Sequence, residues 1–339
     1  MTPRAIRLDR FAPDFRHATS IIPLEPRKPG PGEITVRNHW CGVNAIFDTQ
    51  IARNAVDYVR IALPTFTGVE AIGIVEAVGP GVQDFRVGDA AITTRFTGGY
   101  RETHTASEIH FCAAPSPDRV WLALASTGVS AMLALEHTGA VQDGETVAVS
   151  AAAGGLGHLI VQLAKRRGCR VIAICGGPAK AKFVRTLGAD RVIDYRAEDV
   201  ATVLHTEYRN AIDVAIDTVG GAIFDAFLDN LAVHGRLVAG GAASDLDDKP
   251  EIVTAPRIVH KLYYKAASVR GFMNGLLTER WPEARRTLFA LHAQGALSVT
   301  FDEVRFQGLE QVYDAIDRLL SGQSMGKVTV DLRRVVTRG

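Results

Sequence analysis

The stretch that most constrains the fold runs from Thr146 to His158, TVAVSAAAGGLGH. Thr146 to Ala152 is a short apolar run, and Leu156, Leu159, Ile160 and Leu163 then recur at i, i+3, i+4 and i+7, so a buried strand passes through glycines into an amphipathic helix. In the turn, Ala152-Ala153-Gly154-Gly155-Leu156-Gly157 has dinucleotide-binding spacing, with Ala152 in place of the first glycine. Gly154 lets backbone approach a pyrophosphate, Gly157 lets the helix lie close on the strand, and the helix N-terminus turns its N–H groups to the phosphates. A tight turn without a ligand has the same spacing. The place of this one, after a strand and before a helix, argues for the nucleotide.

The alternation continues with RVIAIC (Arg170 to Cys175), a helix opening at Pro178, RVIDY (Arg191 to Tyr195), DVAIDTV (Asp213 to Val219), RLVAGG (Arg236 to Gly241) and SVRGFM (Ser268 to Met273). Strand and helix in turn predict an α/β fold, a doubly wound parallel sheet of about six strands. The chain before about residue 120 reads differently. ITVRN (Ile34 to Asn38), AIGIVEAV (Ala71 to Val78) and DAAITT (Asp89 to Thr94) are short strands between PGPG and GPG punctuation, the texture of an irregular β-rich domain. The tail carries helices near Glu283 to Gln294 and Leu309 to Leu320 and a strand, KVTVDL (Lys327 to Leu332); it closes the sheet domain or folds back on the first one.

A length of 339 residues suits two domains. With 47% hydrophobic and 22% charged residues and a formal charge of +1, no global field recruits nucleic acid or an anionic membrane. Cys41, Cys112, Cys169 and Cys175 show no C-x-x-C pairing and read as reduced thiols. The first residues lack an apolar leader and no later apolar run approaches the roughly 20 residues of a membrane span, so the expected location is the cytoplasm. Ten histidines, among them His104, His110 and His137, show no metal spacing and no nucleophile elbow, and none is given a catalytic role.

The end of the second strand selects the nucleotide. An NAD site places Asp or Glu there for the ribose 2′-hydroxyl; this chain has Cys175-Gly176-Gly177, with Lys180 just beyond and Tyr195 and Arg196 after the next strand. Room and cations favour a 2′-phosphate, hence NADPH, although Lys180 and Arg196 also suit an ordinary solvated helix and strand end. Thr218-Val219-Gly220, Gly240-Gly241 and Gly271-Phe272-Met273 follow later strands and should line the cofactor cleft with backbone.

Taken together, GVNAIFD, GVEAIGIVEAVGPGV, FRVGDAAI, AAAGGLG, LGADRVIDYR, DTVGG and the terminal GKVTV resemble the medium-chain dehydrogenase/reductase superfamily over nearly the whole chain. KAASVRGFMN and MGKVTVDL are similar to its quinone oxidoreductase and prostaglandin reductase branch. The resemblance implies a GroES-like catalytic domain at 1–125 with a return of 276–339, a Rossmann nucleotide-binding domain at 126–275, and a homodimer formed through sheet edges near RLVAGG and SVRGFM. Zinc-dependent members carry ligands where this chain has Asn44 and Val69, and a lobe of four cysteines is missing. Neither an amide nor a valine competes with thiolate or imidazole for zinc, so no metal is expected and Cys41 is expected to be a packed thiol.

A site without a Lewis acid suits an acceptor that takes hydride at carbon while its oxygen collects charge. The implied reaction is NADPH-dependent reduction of an α,β-unsaturated ketone or a quinone. Asn44 is the candidate oxyanion contact, or else it caps a turn. The resemblance implies that Tyr264, or Tyr263 beside it, lines the substrate site, a plain core tyrosine being the alternative, and that Ser130 bonds the nicotinamide carboxamide or the ribose. Gln50, with a residue inserted nearby, departs from the quinone reductase pattern. A cofactor-binding protein without turnover and an alcohol dehydrogenase with a displaced zinc site are the alternatives. RNA binding gains no support from the charge balance.

Overall fold

Six short apolar runs form one parallel sheet: β1 (Thr146–Val149), β2 (Arg170–Cys175), β3 (Arg191–Asp194), β4 (Ile212–Asp217), β5 (Leu231–Ala239) and β6 (Ser268–Gly271). They lie in the order β3-β2-β1-β4-β5-β6, every neighbouring pair parallel, which is the doubly wound Rossmann arrangement. The structure, a computed structural model, describes residues 2–56, 60–245 and 252–333. Helices α1 (Gly157–Arg166), α2 (Pro178–Thr186), α3 (Val200–Glu207) and α4 (Gly221–Asp229) connect the strands. Sheets covered on both faces need strands that are apolar throughout, and β2 is buried from Val171 to Cys175. Ile172, Ile174, Ile193, Ala215 and Leu237 of the sheet pack with Leu204, Phe227 and Leu228 of the helices.

This sheet belongs to a compact unit spanning Thr127–Thr300. The other unit comprises the chain up to Ser126 and from Phe301 onward. In it the ten-residue strand Glu33–Gly42 pairs antiparallel with Glu70–Val78, which pairs with Ala90–Thr93, and that strand pairs with Phe111–Ala114. Thr103–Ser107 joins the outer half of Glu33–Gly42, and Thr329–Asp331 pairs with its inner end. The last strand therefore folds back on the first domain.

Two expectations need correction. Residues 276–300, assigned to the returning segment, lie in the sheet unit. Helix α5 (Trp281–Ala293) packs on Val129–Met132, and Gln162 of α1 holds Ser298 through three hydrogen bonds of 3.0–3.1 Å. An amphipathic helix announces its apolar face but not which core that face meets. One helical run among the described residues, Arg119–Thr138, is 20 residues long and apolar enough to cross a membrane by length and composition alone, contrary to the sequence reading. Most of it is buried, as in a core helix.

Candidate functional site

The carboxyl ends of the parallel strands meet where ligands bind in doubly wound sheets, at the point where strand order reverses between β1 and β4. A buried polar link marks that point. Ser150, just past β1, donates from Oγ to Asp217 Oδ1 at the end of β4, 2.6 Å away, and accepts the Thr218 N–H at 2.9 Å. Asp217 also accepts the Val219 and Gly220 N–H groups at 2.9 and 3.0 Å. A carboxylate so supplied with donors fixes the 218–220 loop. Its signal, the aspartate of DTVGG, was in view in the sequence, but the Ser150 partner 67 residues away was not.

Strand β1 ends at Val149, short of the predicted Ala152, because Ala151 adopts a left-handed φ of 46° and turns the chain. Ala153 is buried and Leu156 precedes α1. A Cβ on Gly157 would stand 2.4 Å from the Ala151 carbonyl oxygen and 2.7 Å from the Ala152 Cα, so helix and turn approach to a distance that only glycine permits. At Gly154 the nearest atom to such a Cβ is the Ala151 oxygen at 3.2 Å; the face left open there suits a pyrophosphate approaching the backbone.

At the end of β2, a Cβ on Gly176 would lie 2.4 Å from the Tyr195 ring, and one on Gly177 would lie 3.6 Å from Arg196 Nη1. Tyr195 and the Arg196 guanidinium thus sit over the paired glycines. Asp194, the nearby carboxylate, is occupied: its Oδ1 accepts the Gly177 N–H at 2.7 Å and the Arg196 N–H at 3.0 Å, which pulls its carboxyl below the usual range. It shapes the turn. Lys180 lies in the first turn of α2, near enough to act electrostatically on Cys175. These residues fit a dinucleotide that carries a 2′-phosphate.

Gly240 and Gly241 follow β5, and the Gly240 N–H donates to the Asp217 carbonyl at 2.7 Å. Gly271 ends β6, the Phe272 N–H donates to the Ala239 carbonyl at 2.9 Å, and the Phe272 ring approaches Gly240. Val219, Gly240, Gly271, Phe272 and the half-exposed Met273 therefore share one end of the sheet. Ser130 lies in the helical segment Val129–Met132 of the same unit. Tyr264 is 81% exposed at the end of the short helix Val259–Tyr263, its ring edge-on to Tyr263. The core position allowed for it in the sequence reading is not found: the side chain lies at the surface.

In the β-rich unit, Asn44 makes no side-chain cap for the helix Ala45–Ala52. Its Nδ2 donates to Glu70 Oε1 at 2.8 Å, and its Oδ1 accepts from Lys327 Nζ at 3.1 Å. The amide can face only this way, because an ammonium only donates and a carboxylate accepts. Lys327 Nζ is also 2.6 Å from Glu70 Oε1 and donates to the Val43 carbonyl at 3.1 Å. Glu70 is 0% and Lys327 4% exposed. The second glutamate oxygen, Oε2, is buried with no hydrogen-bond partner among the described residues. GVE and GKVTV stand out in the sequence, but that they close on Asn44 across 283 residues could not be read there.

Below Asn44, the Tyr100 hydroxyl donates to Asp48 Oδ2 at 2.5 Å, and both residues are buried. Burial pushes the Asp48 carboxyl up to about 7 and the Tyr100 phenol well above its ordinary range. Cys41 is fully buried, and burial together with the Glu70 and Asp48 carboxylates drives its thiol strongly toward the protonated form. The raised Asp48 value fixes a sign. Between its ordinary 3.8 and about 7 the folded chain holds a proton that the unfolded chain releases, so stability falls as pH rises through that window. In paired thermal unfolding curves, the stability of Asp48→Asn relative to the wild type should rise by about 2–4 kcal/mol between pH 4 and pH 8; a constant difference would show that Asp48 ionises normally.

Comparison with known proteins places this geometry. Residues 30–141 match a sequence model described as the alcohol dehydrogenase GroES-like domain, and residues 155–290 match one described as zinc-binding dehydrogenase. The chain is 34% identical to prostaglandin reductase-3 of Mus musculus, across 99% of this chain and 91% of that protein. It is 31% identical to a probable quinone oxidoreductase of Leishmania amazonensis, across 97% and 98%. The crystal structure of Escherichia coli quinone oxidoreductase complexed with NADPH superimposes with a TM-score of 0.82 at 26% identity, covering 97% of this chain and 99% of that one.

Proposed function

Since the chain belongs to the medium-chain dehydrogenase/reductase family, it is an NADPH-dependent oxidoreductase, and we propose that it reduces the double bond of an α,β-unsaturated ketone, or a quinone, without zinc. The observation that carries the proposal is the Asn44 amide clamped between Glu70 and Lys327. Where zinc-dependent members bind their metal, this chain sets a neutral donor beside an ammonium 3.1 Å away. Amide and valine are poor zinc ligands, and the Glu70 carboxylate beside Asn44 is already paired with Lys327 at 2.6 Å.

NADPH, when bound, supplies the hydride that adds to the β-carbon of the enone. The Gly154–Gly157 turn receives the pyrophosphate, and the loops at Val219, Gly240 and Gly271 to Met273 supply backbone along the cofactor. Ser130 bonds the carboxamide or ribose. Asn44 Nδ2 carries two hydrogens; Glu70 takes one and fixes the plane of the amide, and the other donates to the substrate oxygen as charge gathers there. A donor held in place before the reaction needs no reorganisation during it. The enolate carbon is then protonated from water, or from Tyr264, whose exposure leaves it open to solvent exchange. Among the described residues β6 (SVRG) is an edge strand and supports pairing of two copies, whereas the RLVA of RLVAGG, expected at the edge as well, lies in β5 between β4 and β6.

Asn44→Ala should lower kcat on an enone by about 10²–10³-fold, the usual cost of an oxyanion donor, while the NADPH Kd stays within about threefold. A proportionate loss of cofactor binding would instead assign Asn44 to the cofactor. Arg196 is proposed to meet the 2′-phosphate. Arg196→Ala should weaken NADPH by about ten- to a hundredfold, as expected for a charge-assisted hydrogen bond, and leave NADH unchanged; equal weakening of both in fluorescence titrations would refute that role.

A further inference from the structure

We propose that His158 is the positioning residue of the phosphate-binding turn, holding the Gly154 carbonyl at one ring nitrogen while the other is tied to the backbone of Thr300. The inference rests on the reading of this turn as the NADPH site. His158 is completely buried, in the first turn of α1. Its Nδ1 lies 2.9 Å from the Gly154 carbonyl oxygen, which also accepts the His158 backbone N–H at 3.1 Å. Its Nε2 lies 3.1 Å from the Thr300 backbone nitrogen, which donates to it.

Two partners of opposite kind permit one form of the ring. A carbonyl requires the proton on Nδ1, and an N–H donor requires the lone pair on Nε2. The imidazolium has no lone pair for Thr300, and the other neutral tautomer fails at both ends. Burial lowers the basicity of the ring to about 4, in keeping with a neutral ring. The Gly154 carbonyl, drawn inward by two donors, is kept away from the face on which a pyrophosphate would lie; a carbonyl turned outward there would repel the phosphate oxygens. Gln162, one turn along α1, secures the same returning segment through Ser298, so Thr300 is a fixed anchor for the ring. Without a histidine, the glycine-rich turn retains its spacing but loses the group that selects one orientation of its most flexible peptide.

The test separates the two ends of the ring. Asn at position 158 places an amide nitrogen where Nδ1 was and keeps the Gly154 bond; Gln reaches the Thr300 end; Leu supplies neither. NADPH Kd should stay within about threefold of wild type in His158→Asn and rise at least tenfold in His158→Gln and His158→Leu, with kcat at saturating NADPH within threefold throughout for variants whose circular dichroism matches wild type. Equal Kd values in all three, or a loss in Asn as large as in Leu, overturn the proposal. If wild type itself fails to bind NADPH, the cofactor reading falls instead. Should the variants fail to fold, nitrogen NMR of the wild-type ring decides: a neutral Nδ1–H form whose signal moves on adding NADPH is expected, and an Nε2–H form, a cation or an unmoved signal overturns the assignment.

Discussion

Lys327→Met should destabilise the β-rich unit by about 3–5 kcal/mol, the usual cost of removing one partner of a buried ion pair. The ammonium is 2.6 Å from Glu70 Oε1 and almost wholly buried, and the other carboxylate oxygen has no hydrogen-bond partner among the described residues. Without Lys327 the glutamate must hold a charge that no solvent reaches or take up a proton. Replacing both partners, as Lys327→Met with Glu70→Leu, should recover most of the lost stability, because the pair can be exchanged for packing. Activity should not recover: the Asn44 amide loses both groups that orient it. Urea unfolding and enone turnover on the single and double variants check this. A double variant as active as wild type would show that Asn44 needs no clamp.

The second large effect is expected at Gly157. A Cβ there meets the Ala151 carbonyl oxygen at 2.4 Å and the Ala152 Cα at 2.7 Å, both backbone atoms. Gly157→Val therefore has to push helix α1 off the turn. Overpacking of this kind costs about 1–3 kcal/mol, and on the proposed reading it shifts the N-terminus of α1, whose N–H groups would meet the phosphates, so NADPH Kd should rise by about 5- to 150-fold. Gly154→Ala separates fold from binding: its Cβ would meet one atom, at 3.2 Å, so stability should hold, while a methyl on the face proposed for the pyrophosphate should still weaken NADPH. If the Gly157 variant binds as tightly as wild type, the turn does not carry the cofactor.

Much of the sheet unit was legible, for reasons visible in particular segments. Val171–Cys175 is apolar from end to end, with Gly168 before it and Gly176, Gly177 and Pro178 after it, and the strand Arg170–Cys175 contains it. The helix predicted to open at Pro178 begins there, after Gly177 in a left-handed φ of 94°. The β-rich unit was less legible. Thr103–Ser107 and Phe111–Ala114 are short and lack clear alternation, and they become strands because long-range partners are present. The candidate site divides in the same way. Glycines, loop ends and Asn44 can be found by spacing, since turns and strand ends are local. The Glu70–Lys327 clamp, the Ser150–Asp217 link and the His158–Thr300 bond are contacts between segments 67 to 257 residues apart, and no local pattern encodes them.

The central claim is double-bond reduction at a site whose oxyanion donor is an amide rather than a metal. Its most direct test is NADPH oxidation with an enone, using protein dialysed against chelator and the same protein supplied with zinc, with the product identified. The account predicts equal rates and the saturated ketone. Activity that returns only with zinc, or an allylic alcohol formed by attack at the carbonyl carbon, would contradict it.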